Sequence, residues 1–312
     1  MDESIASGVE GGRRVLVTGG SGFIGRYIVE RLLREGVVPV TYDRDPVRPR
    51  PGVVAVHGEL HDVPCLVRAL EEHGVREIIH TAGISDPDIS LGMPVATFFA
   101  NAMGTVNVLE AARLTGINRV VNFSSSSVYG HKPEGVTEDI KLEPITPYGV
   151  SKVAAELLGK VYTDLYQVET VALRVTWVYG PGNKVPETTH KMLRAAIDGT
   201  PFRMENGADH PMPMVYVEDV AEATWLALNS TTISQPAYTI TGLDRPTLGE
   251  VAELVMRHVP GSDVQVGEGK LHLHELGPID RGAAERDFGY VPGRGMDSGI
   301  GEYASWLREH EF

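Results

Sequence analysis

The stretch Thr18-Gly19-Gly20-Ser21-Gly22-Phe23-Ile24-Gly25 constrains this chain more than any other, because of what flanks it. The apolar run Val15-Leu16-Val17 precedes it and the amphipathic segment Arg26 to Glu35 follows, so the order reads strand, glycine turn, helix start. Glycines at 19, 22 and 25 permit a tight turn, a close approach of backbone to a pyrophosphate, and packing of the new helix against the strand. The phosphates would then lie on the free N–H groups of the helix. Glycine turns also join strand to helix where no ligand binds, so the surroundings must decide.

The next apolar run, Val37-Val38-Pro39-Val40-Thr41-Tyr42, reads as a second strand and ends in Asp43, about twenty residues past the glycines. A carboxylate there can accept both hydroxyls of an adenosine ribose and would repel a 2′-phosphate, which favours NAD over NADP. Arg44 beside it keeps dual use open, since a guanidinium can pair with that phosphate.

At 312 residues, 42% hydrophobic and 22% charged, the chain can bury a substantial core in one large domain or two tightly joined ones. Its net charge of −14 argues against a nucleic-acid backbone or an anionic membrane as partner, because both require concentrated Lys and Arg. The single cysteine, Cys65, cannot form an internal disulfide, and no basic start followed by an apolar run marks a signal peptide. A reducing cytoplasm is the expected compartment. No apolar run reaches the length of a bilayer span, and residues 1–12 are polar and glycine-rich enough to be a flexible tail.

Strands expected near Val15, Val38, Val53, Ile78, Val120 and Val171 alternate with helical periodicities, the pattern of a doubly wound parallel sheet with helices on both faces. The expected division is a Rossmann-type NAD-binding domain over 13–180 with returns near 215–242, and a smaller substrate-binding region over 181–214 and 243–312. Helices expected from Phe98 to Leu114 and from Gly149 to Tyr166 are apolar over much of their circumference, more than one sheet face would cover. That spare face points to a homodimer. Further helices are expected near Thr188 to Asp198, Val217 to Asn229, Thr247 to His258 and Ile300 to Glu309.

Tyr148-Gly149-Val150-Ser151-Lys152 sets a phenol and an ammonium four residues apart, on one face of a helix start. Exposed polar pairs at this spacing are common, so alone it says little. Upstream, however, the fifth strand runs into Phe123-Ser124-Ser125-Ser126-Ser127-Val128-Tyr129-Gly130, a hydroxyl cluster where open sheets place ligands. Together the residues fit hydride chemistry on an alcohol. A phenol with a reference pKa of about 10 needs nearby positive charge to take a proton near neutrality, and Lys152 with an oxidised nicotinamide would supply it. A serine hydroxyl can orient the alcohol and stabilise developing charge.

With these residues in place the chain resembles an extended short-chain dehydrogenase/reductase of the NAD-dependent epimerase/dehydratase group over nearly its whole length. The likeness runs through the glycine turn, Asp43, Gly58-Glu59-Leu60, Asn101 with Gly104-Thr105 and Asn107, and the serine run. It continues through YGVSK, Leu173-Arg174, VYGPG, Val215 to Val220, and Phe288-Gly289-Tyr290-Val291-Pro292. The resemblance implies Tyr148 as proton-transferring residue, Lys152 as its electrostatic partner and nicotinamide-ribose ligand, and Ser125 as the catalytic hydroxyl. It implies cofactor contacts from Gly19, Gly22, Phe23, Ile24, Asp43, Glu59, Leu60, Ala82, Gly83 and Asn101, with Glu59 where the group usually has aspartate, and Arg44 joins them from its place beside Asp43. Ser85, Ser126 and Trp177 would face the substrate.

Departures from the pattern narrow the chemistry. Dehydratases of the group usually carry Asp-Glu after the catalytic hydroxyl as acid and base for water elimination, and here Ser126 and Ser127 stand there. Nucleotide-sugar epimerases usually hold the diphosphate with an arginine and an asparagine at the positions of Met212 and Trp177. No arginine appears in Leu271 to Ile279 either, so the charge-assisted clamp is missing. Lys184, Lys191 and Arg203 match no motif. His272 and His274 alternate as on one face of a strand, and His61, His80, His190 and His210 are scattered. No carboxylate or cysteine completes a metal set, so solvated or core histidines are expected. Trp177 could equally be core.

The expected function is NAD-dependent oxidation of a secondary hydroxyl on a sugar, sugar acid or polyol-like substrate. The alternative is a sugar or nucleotide-sugar epimerase that retains its NAD. A third reading is a non-catalytic dinucleotide-binding protein, against which the complete Ser125, Tyr148 and Lys152 set argues.

Overall fold

The computed structural model describes residues 12–45, 49–183, 185, 187–271 and 274–310. Most of the expected tail, together with Lys184 and His272, lies outside the described residues. Seven strands form the central sheet: β1 (Arg14–Thr18), β2 (Val38–Asp43), β3 (Val54–His57), β4 (Glu77–His80), β5 (Arg119–Ser125), β6 (Glu169–Val175) and the later Ala237–Ile240. The spatial order from one edge is β3-β2-β1-β4-β5-β6 followed by Ala237–Ile240, with every pairing parallel. The order reverses direction between β1 and β4. Their carboxyl ends therefore flank a crevice, the place where open parallel sheets bind ligands.

Because both faces of the sheet are covered, its central strands are near-continuous apolar runs rather than alternating ones, as in the wholly buried β2. On one face pack α1 (Phe23–Arg34) and Val217–Asn229, joined through Ile28, Leu32, Val121, Val171 and Val220. On the other pack α2 (Val63–Glu72), Gly104–Thr115 and Pro147–Tyr166, around Leu16, Val40, Leu66, Leu109 and Val120. Local signals start the helices where needed. Asp62 accepts from the Cys65 N–H to cap α2, and Thr146 accepts from the Gly149 N–H to cap Pro147–Tyr166. Pro147 in the first turn has no N–H to leave unpaired.

Between β4 and β5 the chain makes α3 (Pro87–Gly92), α4 (Pro94–Phe98), a π turn (Phe99–Met103) and α5 (Gly104–Thr115). The sequence predicts one regular helix from Phe98, but the π turn interrupts it and carries Asn101 into the interior. After β5 and a short 3-10 turn come α6 (Pro147–Tyr166) and β6.

The C-terminal part has its own apolar cluster. β7 (Trp177–Tyr179), α7 (Thr188–Ile197), β8 (Phe202–Met204), β9 (Met214–Tyr216) and α8 (Val217–Asn229) lead to β10 (Ala237–Ile240) of the main sheet. Then follow α9 (Leu248–His258), β11 (Val264–Val266), α10 (Gly282–Phe288) and α11 (Met296–Glu309). Met192, Leu193, Val251, Ile300 and Leu307 form the centre of that cluster, between α7, α9 and α11. The helix expected from Thr247 is α9, and it starts with a capping box between Thr247 and Glu250. His274 lies outside any strand, because its segment joins the chain through single bridges such as Lys132 with Leu276 and Val136 with Ile279. Among the described residues, no helix is long and apolar enough to cross a membrane.

Candidate active site

The glycine turn leaves β1 with Gly19 at φ +71°, a left-handed conformation that a side chain would strain. A Cβ on Gly25 would lie 2.0 Å from the Gly19 carbonyl oxygen, so α1 sits directly on the turn. Gly22 caps α1 without any side-chain acceptor, leaving the first-turn N–H groups for an anion. At the end of β2, Asp43 is buried. Its Oδ1 accepts from the Ser21 N–H at 3.0 Å and the Ser21 hydroxyl at 2.7 Å. Its Oδ2 is buried with no partner among the described residues, and burial raises the carboxyl pKa above its usual range. One carboxylate oxygen is thus anchored and the other remains an acceptor.

Of the remaining expected cofactor residues, all but Asn101 follow the carboxyl ends of β1 to β4 in the chain. Phe23 makes an edge contact with Tyr27, and Ile24 packs on the core below α1. Arg44 points outward, 3.8 Å from Asp45, with its side chain 72% exposed. Glu59 is exposed, and its carbonyl accepts from the Tyr42 hydroxyl. The Leu60 carbonyl accepts from Asn107 at 3.0 Å. The Ala82 N–H faces Thr18 Oγ1 at 3.4 Å, and a Cβ on Gly83 would meet Asn101 Oδ1 at 2.6 Å. Asn101 bonds the Ile84 N–H and carbonyl and also Ser151 on α6, at 2.8 to 3.0 Å. Its side chain ties the loop after β4 to α6.

Ser125 ends β5, and its hydroxyl accepts from the Ser127 N–H at 3.1 Å and donates to the Ser127 hydroxyl at 3.2 Å. Tyr148 is buried in the first turn of α6. Lys152, one turn further along, donates to the Phe123 carbonyl at 2.8 Å and lies 5.7 Å from the Tyr148 ring centre. One more turn along, Glu156 pairs with Arg174 of β6 at 2.8 Å, both side chains almost wholly buried, and accepts from Ser124. Arg174 also donates to the Glu138 carbonyl and to Tyr129. The reactive-looking face of α6 is therefore braced against two strands by an ion pair the sequence reading did not single out. Leu173-Arg174 was visible only as a motif, and the spacing of Glu156 from Lys152 and Tyr148 was the available signal.

Burial pushes the Tyr148 phenol up to about 12, and the nearby Ser125 hydroxyl partly opposes this. Burial pulls the Lys152 ammonium down to about 8, with Glu156 opposing. His80, on β4, bonds Thr18 Oγ1 at 2.7 Å, and burial takes it down to about 3, so it stays uncharged. A phenol, an ammonium and a hydroxyl held in this way can move a proton to or from a carbinol oxygen.

Ser126 and Ser127 are buried and Ser85 is exposed on the loop after β4. Trp177 is partly buried and stacks on His274, ring centres 5.2 Å apart at 14°. Met212 is buried in the C-terminal apolar cluster against which Trp177 packs. His210 and His274 are also buried. Neither ring nitrogen of His210 has a partner among the described residues, nor does Nε2 of His274. In the sequence His210 is one of the scattered histidines and His274 alternates with His272, and neither pattern points to this place. No group of three or more His, Cys, Asp or Glu among the described residues is arranged to hold a metal ion.

The model of the NAD dependent epimerase/dehydratase family matches residues 15–240. The sequence is 26% identical over 340 residues to "Probable UDP-glucuronate 4-epimerase" of Rhizobium meliloti, covering 95% of this chain and 97% of that protein. It is 31% identical over 237 residues to the UDP-glucose 4-epimerase of Azospirillum brasilense, covering 69% of this chain and 68% of that one. The crystal structure of the Thermus thermophilus UDP-glucose 4-epimerase in complex with NAD superposes with a TM-score of 0.85 at 30% identity. That match covers 95% of this chain and 99% of the other.

Proposed function

The chain belongs to the NAD-dependent epimerase/dehydratase family, and from that premise we propose that it transfers a hydride from a secondary carbinol of a sugar-like substrate to NAD, with Tyr148 accepting the hydroxyl proton. It is an enzyme of the extended short-chain dehydrogenase/reductase type. The observation that carries the residue assignment is the buried Tyr148 in the first turn of α6, with the Lys152 ammonium 5.7 Å from its ring centre and the Ser125 hydroxyl near enough to act on the phenol.

The residues fit a dinucleotide. The turn is too close for any side chain at Gly25, α1 offers free N–H groups, and the spare Asp43 Oδ2 suits a ribose diol. When bound, the nicotinamide supplies the hydride acceptor. Ser125 donates to the substrate oxygen and holds it near Tyr148, and Tyr148 takes the proton as a phenolate. A phenol held near 12 does not ionise at neutral pH without added positive charge, so the Lys152 ammonium and a cationic ring are both needed. Ser126 and Ser127 provide neither carboxylic acid nor carboxylate, which argues against water elimination.

The second reading is epimerisation of a nucleoside-diphosphate sugar, in which the same residues return the hydride to the opposite face. The names of the relatives favour it, and the buried Met212 and stacked Trp177 weigh against a charged clamp. Extraction of purified protein separates the two, since retained dinucleotide with UDP-sugar interconversion and no released NADH selects the epimerase. Release of NADH with free sugars, sugar acids or polyols selects the dehydrogenase.

In this reading 13–180, with the returns near 215–242, holds the cofactor, and 181–214 with 243–312 holds the substrate. The chain works as a homodimer through an apolar surface on α4, the π turn, α6 and the segment before α6, where Val95, Phe99, Leu157, Leu165 and Ile145 are exposed. The buried, unpaired Cys65 fits a reducing cytoplasm.

A further inference from the structure

Four segments distant in sequence meet beside the serine run. Ser125 is in register with Val175, so Trp177 emerges two residues beyond that point at the same end of the sheet. β7 pairs with β9, Trp177 opposite Met214, which brings the segment from His210 to Met214 alongside. His131 lies just past the serine run and accepts from the Glu275 N–H at 3.1 Å, while Lys132 donates to the Glu275 carbonyl at 2.8 Å. The chain at His274 is thereby fixed next to that run, with its ring flat against Trp177.

Inside this junction sit three buried imidazole nitrogens without a partner among the described residues, both of His210 and Nε2 of His274. Buried polar atoms are nearly always satisfied, because leaving them unpaired forfeits hydration with no return. A metal does not account for them, since no third ligand stands with them among the described residues. We propose that His210, His274 and Trp177 form the substrate-recognition end of the site and hold a neutral, hydroxyl-bearing group by hydrogen bonds and ring stacking. They take the place of a cationic clamp. This deepens the reading above and rests on its holding of the substrate oxygen by Ser125, at the end of β5.

The electrostatics favour hydroxyls over phosphate. Burial takes His274 down to about 4, with His210 and His131 adding to the effect. Burial also lowers His210, with Lys270 adding and Glu275 opposing. Both rings are therefore uncharged at neutral pH, each with one donor and one acceptor nitrogen, a match for vicinal hydroxyls. An aromatic face beside them suits the C–H side of a pyranose.

The test uses the intact NAD-loaded protein with Trp225→Phe and Trp306→Phe, so that fluorescence reports Trp177. It is titrated with methyl glycosides, UDP-glucose, UDP and inorganic phosphate. Glycosides and UDP-glucose are expected to change the Trp177 signal, and His210→Phe and His274→Phe to weaken them at least tenfold. NAD affinity and UDP or phosphate binding should not change. His210→Gln, which keeps hydrogen-bonding capacity, should recover part of the loss. Equal weakening of UDP or phosphate would make the cluster an anion site, and unchanged titrations would leave it a buried structural feature. Either result overturns the proposal. Tyr148→Phe should bind as the parent does while losing turnover. If it keeps turnover, the proton-transfer reading fails, whatever the histidine variants do.

Discussion

At the scale of single residues, the account turns on how burial and neighbours set the Tyr148 phenol. The phenol is raised to about 12 in the protein without ligand, so the basic form is scarce until positive charge approaches. Oxidation should therefore speed up with rising pH to a plateau, and the reverse reduction should slow, since it needs the protonated phenol. Lys152→Ala removes one positive neighbour and should move the break in kcat/KM to higher pH as well as weaken NAD, a pair of effects seen in pH-rate profiles and cofactor titrations. Asp43→Ala deletes the acceptor left free at the end of β2. With charged hydrogen bonds contributing about 1.5–3 kcal/mol, NAD affinity should fall roughly 10- to 100-fold and the preference over NADP should shrink. Equal NAD and NADP affinity in the parent protein would assign the ribose contact elsewhere.

At the scale of elements, the strand, turn and helix of residues 14–34 were legible because everything that specifies them is local, in the glycine spacing and the apolar run before it. Gly25 shows how tight that unit is. Gly25→Ala sets a methyl 2.0 Å from the Gly19 carbonyl, and calorimetry should find a loss of about 1–3 kcal/mol together with failure to bind NAD. What the sequence hid was long-range. Asn101 looked like one position of a regular helix, yet a π turn carries it to the Ile84 loop and Ser151, which no periodicity encodes. Glu156 and Arg174 lie on different elements and become a pair only when α6 docks on β6. The alternation of His272 and His274 resembled a strand. His274 instead stacks on Trp177 in irregular chain fixed by contacts to residues 131 and 132.

At the scale of the whole molecule, the parallel sheet puts the glycine turn after β1, Asp43 at the end of β2 and Ser125 at the end of β5 on the same carboxyl edge of the sheet. An exposed apolar face lies on α4 and α6, where Val95 is 81% and Leu165 is 68% exposed. Leu157→Glu with Leu165→Glu should convert a dimer to monomers in sedimentation, and a parent protein that already sediments as a monomer would refute the proposed use of that face. The central claim, proton transfer by Tyr148 coupled to hydride transfer to NAD, is tested most directly by rapid mixing of the NAD-loaded enzyme with its sugar substrate deuterated at the reacting carbinol. The parent should show reduced nicotinamide, released or transient, carrying the deuterium. Tyr148→Phe, with NAD still bound, should form it at least about 100-fold more slowly. Product formed without deuterium reaching the cofactor, or equal rates in the two proteins, would contradict the account.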